Sequence, residues 1–131
     1  MAREGLSRYY YLEKEIKRDK EEIIELETQL THITQTPSDM PKSKGQNDKM
    51  DRLMSILIER KELLGDKILR AEEERNRILK YINSIDDSLI RLIIQYRFLN
   101  LLPWAKVAYF VGGNNTEESV RKMFERYISS H

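Results

Sequence analysis

The residues whose types and spacing could do chemistry lie together late in the chain, between Thr116 and Arg126. Wound as a helix, this stretch puts Val120, Met123, Phe124 and Tyr127 on one side. Glu118, Lys122, Glu125 and Ser129 fall on the other side, flanked by Ser119, Arg121 and Arg126. Carboxylates beside ammonium and guanidinium groups on one outward face are suited to hydrogen-bonding a polar partner. They are not arranged to break bonds. Periodicity alone does not separate such a surface from the solvated face of a small helical bundle. Catalysis has poorer material: His32 sits near a helix end and His131 is terminal, and neither has a nucleophile or acid at a telling spacing. With no cysteine there are no disulfides and no thiolate metal sites. Asp86-Asp87 could be pictured as metal ligands, but a helix cap explains the pair. No catalytic residue, metal, cofactor or small-molecule substrate is therefore assigned.

The elements that must position this face can be read backwards from it. Thr116 is an N-cap residue, and Glu117 and Glu118 suit the first turn of the helix it opens. Before it, Gly112-Gly113-Asn114-Asn115 is a turn rich in residues that accept positive φ. Before that, Trp104, Val107, Ala108 and Val111 share an inward face, with Pro103 expected at the first helical position. A short helix from Ser88 to about Phe98, capped by Asp86 or Asp87, turns Leu89, Leu92, Ile93, Tyr96 and Leu99 inward. Residues 86–131 thus read as a compact trihelical unit of helix-turn-helix type. Its core is expected to hold Trp104, Val107, Ala108, Val111, Val120 and Phe124.

Residues 1–85 read differently. Tyr9, Leu12, Ile16, Ile23, Leu26, Leu30 and Ile33 alternate by threes and fours, with Asp19 interrupting the series. Met50, Leu57, Leu64, Ala71, Ile78 and Ile85 recur every seven residues, while Arg60, Lys67 and Glu74 weaken the neighbouring line. Helices over about 7–33 and 48–84, joined through a loop containing Pro37 and Pro41, predict a long antiparallel hairpin of coiled-coil type. The interleaved charges of the first helix read as a solvated face. The loop reads first as a plain hairpin tip, with residues 39–43 as a candidate docking element in the alternative. A two-helix hairpin leaves apolar surface uncovered, so self-association into a homo-oligomer is expected. The fold class is all-α.

Composition agrees: charged residues make up 34% of the 131, and glycine and proline are few. No stretch is apolar enough for a transmembrane helix or a secretory signal, so no membrane partner and a cytoplasmic location are expected. The formal net charge is only +1, so binding to nucleic acid would have to come from a local patch.

Several motifs in order carry a resemblance. Asp86-Asp87 through Phe98, the run from Trp104 to Gly112, and Thr116-Glu117-Glu118-Ser119-Val120-Arg121-Lys122-Met123 are similar to region 4 of bacterial sigma factors. With Leu6-Ser7-Arg8-Tyr9-Tyr10-Tyr11 and Ser38-Asp39-Met40-Pro41-Lys42-Ser43 upstream, the whole chain resembles phage late-gene transcriptional regulators of the ArpU/RinA type. That resemblance implies a sequence-specific activator of packaging and morphogenesis genes, with double-stranded DNA as partner, contact with host RNA polymerase to be weighed, and no catalytic activity. It assigns base reading to Glu117, Glu118, Ser119 and Lys122. Glu118 would accept from a cytosine amino group and Lys122 would donate to guanine. Lys106, Thr116, Arg121 and Arg126 would meet phosphates. Two departures from the family pattern stand out: the turn from Gly112 to Thr116 is about two residues longer, and Pro103 replaces a serine or threonine cap. Competing readings are a small-terminase-like DNA-packaging component and a coiled-coil protein-interaction module.

Overall fold

A computed structural model describes residues 1, 3–34 and 44–131. Among them the regular structure is entirely helical: α1 (Arg3–Thr34), α2 (Lys44–Asn83), α3 (Ser88–Ile94), α4 (Trp104–Val111) and α5 (Glu117–Ser130). A π-helical turn over Gln95–Leu99 continues α3. The all-α class and the long helix pair are as the periodicities predict, although α1 and α2 each start about four residues earlier than expected. The candidate docking element at residues 39–43 lies outside the described residues.

The chain forms two compact units. One, residues 14–69, is the α1–α2 pair, whose core joins Ile23 and Leu30 of α1 to Leu57 of α2, with Leu26, Met50, Leu53 and Leu64 packed around them. Cross-helix ion pairs give the orientation. Asp19 meets Lys67, whereas Glu22 and Glu27, further along α1, meet Arg60 and Lys61, which lie earlier in α2. The pairing is antiparallel. Charges expected to be merely solvated are in part the bridges between the two helices. The interruption at Asp19 and the charge at Lys67 answer each other: the ammonium donates to the Asp19 carboxylate at 2.6 Å, and Glu15 stands 3.7 Å from the same ammonium. That bond, with Arg18 adding its charge, holds the Asp19 carboxyl below its usual range, against the opposing effect of burial.

The other unit contains residues 1–13 and 70–131, and is larger than the 86–131 segment on which the helix-turn-helix reading rests. The reason is apolar burial. Leu6 and Ile78 are fully buried, and Tyr9, Ala71, Ile82 and Ile85 are nearly so. These residues continue the two heptad lines, so the same stripes that pair the long helices also build a wall of the terminal unit. Burial pushes the Tyr9 hydroxyl pKa up, helped by Glu13, while Arg75 pulls the other way. Of the three tyrosines in a row, Tyr9 is the buried one, whereas Tyr11 is exposed and meets Tyr10 edge to face.

Asp87 is the N-cap of α3, its carboxylate accepting from the Leu89 amide at 2.9 Å. Arg91 fastens the connection by donating to the carbonyls of Ile85 and Asp86 and to the Ser88 hydroxyl. The inward face of α3 is turned relative to expectation. Leu92 is exposed, and Ile90 and Ile94 are buried beside Ile93. Within α3 both apolar lines, through Leu89 and Leu92 or through Ile90 and Ile94, satisfy helical spacing, and the packed one is the second. Beyond it the π turn, marked by the Asn100 amide donating to the Gln95 carbonyl, takes up an extra residue. This rotation brings both Phe98 and Leu99 into the core.

Candidate nucleic-acid interface

The two helices α4 and α5 pack on each other and on α3, joined by a turn of five residues, 112–116. Pro103 is the N-cap of α4 and not its first helical residue. Its ψ of 153° is extended, and its carbonyl accepts from the Lys106 and Val107 amides. Val107 and Ala108 are buried, and Trp104 and Val111 are partly covered. The small Ala108 lets the neighbouring helix come close. Phe98, Trp104 and Phe124 interlock, with ring centroids 5.0 Å apart for Phe98–Phe124 and 5.7 Å for Trp104–Phe124. Edge-to-face and tilted rings of this kind fix mutual orientation as well as bury area. The inward side of α5 is therefore set by Val120 and Phe124, both essentially buried, and this decides which way its polar side points.

The turn itself requires glycine. Gly112 has φ 78° with ψ −162°, and Gly113 has φ 68°. The first of these combinations is essentially open to glycine alone. The Asn115 side-chain amide donates to the Gly112 carbonyl at 2.9 Å and closes the loop. Thr116 then caps α5: its hydroxyl accepts from the Ser119 amide at 3.1 Å, and the Ser119 hydroxyl accepts from the Thr116 amide at 2.8 Å. This reciprocal arrangement is a capping box with serine in the place usually taken by glutamate or glutamine. The longer turn is thus a closed, hydrogen-bonded structure that starts α5 at a defined residue.

Glu117, Glu118, Arg121, Lys122 and Glu125 line one open hollow along the outward side of α5. The structure brings together three of the four residues expected to read bases, Glu117, Glu118 and Lys122, with Arg121, one of those expected to meet phosphates. Glu118 and Lys122 form an ion pair at 2.9 Å, both largely exposed. Ser119 stands apart. Its hydroxyl also donates to the Thr116 carbonyl, so its hydrogen-bonding capacity is taken up by the cap. The Thr116 hydroxyl is engaged in the same box. Arg126 is exposed on α5, and Lys106 is exposed in the first turn of α4.

Two arginine contacts around this face have no signal in the sequence. Glu125 belongs to the hollow and pairs with Arg3, which reaches it from the first turn of α1. The periodicity of α5 already puts Glu125 on this side with Glu118 and Lys122, but nothing in the sequence ties residue 3 to residue 125. Arg97 lies with its guanidinium 4.8 Å over the Trp104 ring and donates to the Leu102 carbonyl at 3.0 Å.

No family model matches the chain, no curated protein is significantly similar to it, and no solved structure matches it significantly. Among the described residues, no helix is long and apolar enough to cross a membrane.

Proposed function

We propose that this chain is a sequence-specific DNA-binding transcriptional regulator of the phage late-gene activator type, with α4–turn–α5 as a helix-turn-helix and α5 as the helix that enters the major groove. One observation carries the reading: α5 is held by Val120 and Phe124 so that a continuous polar face of Glu117, Glu118, Arg121, Lys122 and Glu125 is left outward, on a capped helix next to a tight turn. That is the placement a major-groove helix needs. Glu118 accepts from a cytosine amino group and Lys122 donates to guanine. Arg121, Arg126 and Lys106 hold phosphates. The order of the sigma-like motifs supports the transcriptional assignment. On α2, Met54, Ile58 and Leu69 stay exposed, which supports pairing of copies through the long helices. Tyr109 and Phe110, exposed on α4, offer an aromatic face to a protein partner such as RNA polymerase.

Selection of bound duplexes from a random library, followed by footprinting, tests the reading. One preferred sequence is expected to emerge. Lys122→Ala is expected to relax the preference at one base pair, whereas Arg126→Ala weakens all duplexes alike and lowers the salt slope by about one unit. If the wild-type chain shifts no duplex at low salt, the DNA-binding function is wrong and the protein-interaction reading takes its place.

A further inference from the structure

Beside α5, within the terminal unit, is a small cavity of about 180 Å³. Arg3 and Ser7 of α1, Arg97 of the π turn, Trp104 of α4 and Glu125 of α5 border it, with Phe124 also lining it. The only carboxylate among the lining residues, that of Glu125, is already taken by Arg3. Arg97 has no carboxylate partner among the described residues, and its one hydrogen bond there, to the Leu102 carbonyl, leaves most of its five donors free. Stacking on Trp104 holds the guanidinium plane in place. The Ser7 hydroxyl has no hydrogen-bond partner among the described residues. Two guanidinium groups against one neutralised carboxylate leave the cavity with an excess positive charge, next to a helix whose own outward face is acidic.

The geometry points to a backbone-phosphate site: one phosphate of the DNA duplex sits at this cavity and is held by Arg97 and Ser7, with Arg3 keeping Glu125 from repelling it. This assignment rests on the DNA-binding reading of α5 and adds to it a contact made by the first turn of the chain. Arg97 is suited to the task because a planar, always-charged fork matches phosphate oxygens. The aromatic floor excludes water from one side of it. Arg3 is a positioning residue here: it acts on the phosphate through Glu125.

The test measures the affinity of the full chain for its selected duplex and for a random duplex over a range of salt concentrations, with the single Trp104 as a fluorescent reporter of the cavity. Each phosphate contact contributes about 0.9 to the slope of log affinity against log salt. Arg97→Gln is expected to lower that slope by about 0.9 on both duplexes, which narrows the loss of affinity between 50 and 200 mM salt by about 3.5-fold. Arg97→Lys is expected to restore the slope, because the charge returns. Arg3→Gln, at an exposed position, exposes the Glu125 charge and lowers affinity for both duplexes equally. Glu125→Gln in the same chain restores it. Wild-type binding with an unchanged slope in Arg97→Gln and unchanged affinity in Arg3→Gln would overturn the site while leaving the DNA-binding reading standing. Absence of any duplex binding by the wild-type chain overturns both. If Arg97→Gln does not fold, the Arg3→Gln and Glu125→Gln pair decides alone.

Discussion

Replacing Asp19 by alanine removes the acceptor that Lys67 meets at 2.6 Å between α1 and α2, where the two side chains are only 15% and 26% exposed. Lys67 is not left without a counter-charge, because the Glu15 carboxylate is 3.7 Å away. A hydrogen bond to a charged group is worth about 1.5–3 kcal/mol. With Glu15 compensating in part, Asp19→Ala should cost about 1–2 kcal/mol, at the lower end of that range. Lys67→Met leaves Asp19 with only Arg18 at 3.5 Å and should cost a comparable amount. Asp19→Leu with Lys67→Leu fills the interrupted seam with apolar groups. It should recover the loss and can exceed the wild type, as apolar replacement of a paired buried charge commonly does. The pH dependence has a definite sign. Asp19 has its folded pKa lowered, chiefly by the Lys67 hydrogen bond, so its contribution is fully present above the unfolded value of 3.8 and is lost as the pH falls through the lower folded value. Urea unfolding followed by circular dichroism at pH 7 and pH 2.5, for the wild type, Asp19→Ala, Lys67→Met and the variant that combines Asp19→Ala with Lys67→Met, gives the coupling energy at each pH. The cost of Asp19→Ala should be smaller at pH 2.5 than at pH 7. An equal cost at both pH values, or no coupling at pH 7, refutes the pair as the polar lock of the seam.

Two further outcomes follow from the terminal unit. Phe124→Ala removes a ring that is only 2% exposed and touches Phe98 and Trp104, so it should cost about 3–5 kcal/mol and shift Trp104 emission to the red as the unit loosens. Gly112→Ala should cost about 1–3 kcal/mol because φ 78° with ψ −162° is strained for any side chain, although the space around it is open; a thermal midpoint within 1 °C of wild type would contradict that backbone.

The heptad lines were legible in the sequence because their apolar residues repeat without help from tertiary context. Leu57, Ile78 and Val107 lie where periodicity put them. The Thr116 cap was legible because its signal is local. What failed to show depended on winding or on contacts far along the chain. The π turn carried Phe98 inward, and nothing in the run from Leu89 to Leu99 distinguishes a π turn from an α turn. Leu92 and Ile90 are alike apolar, so spacing alone did not choose which of them faces the core. Pro103 fits both the cap and the first turn by its fixed φ; only its extended ψ decides between them. Tyr9 reads as the start of a coiled-coil seam, but its burial, and that of Leu6 before it, is in the unit that carries α5. The link from Arg3 to Glu125 spans nearly the whole sequence and is invisible to any reading by local spacing.

The charge on α5 bears on where affinity could come from. Its outward hollow carries three acids against Arg121 and Lys122, and Lys122 is held by Glu118. An exposed pair of this kind is worth about 0–1 kcal/mol, less than the roughly 1–3 kcal/mol of discrimination from one well-made base contact. The pair therefore does not prevent α5 from reading a base pair that offers both a donor and an acceptor. It does mean that a wrong base pair leaves two charges facing unmatched edges, so the face penalises mismatches more than it rewards proximity. Beyond Arg121, non-specific attraction to phosphates has to come from cations outside the hollow, and a chain with a net charge of +1 has few to spare. Lys106, Arg126 and the guanidinium of Arg97 are placed for that on α4, on α5 and on the turn between α3 and α4. On the proposed DNA-binding reading, an α5 face this acidic puts specificity and affinity on different residues, and they can be separated by mutation.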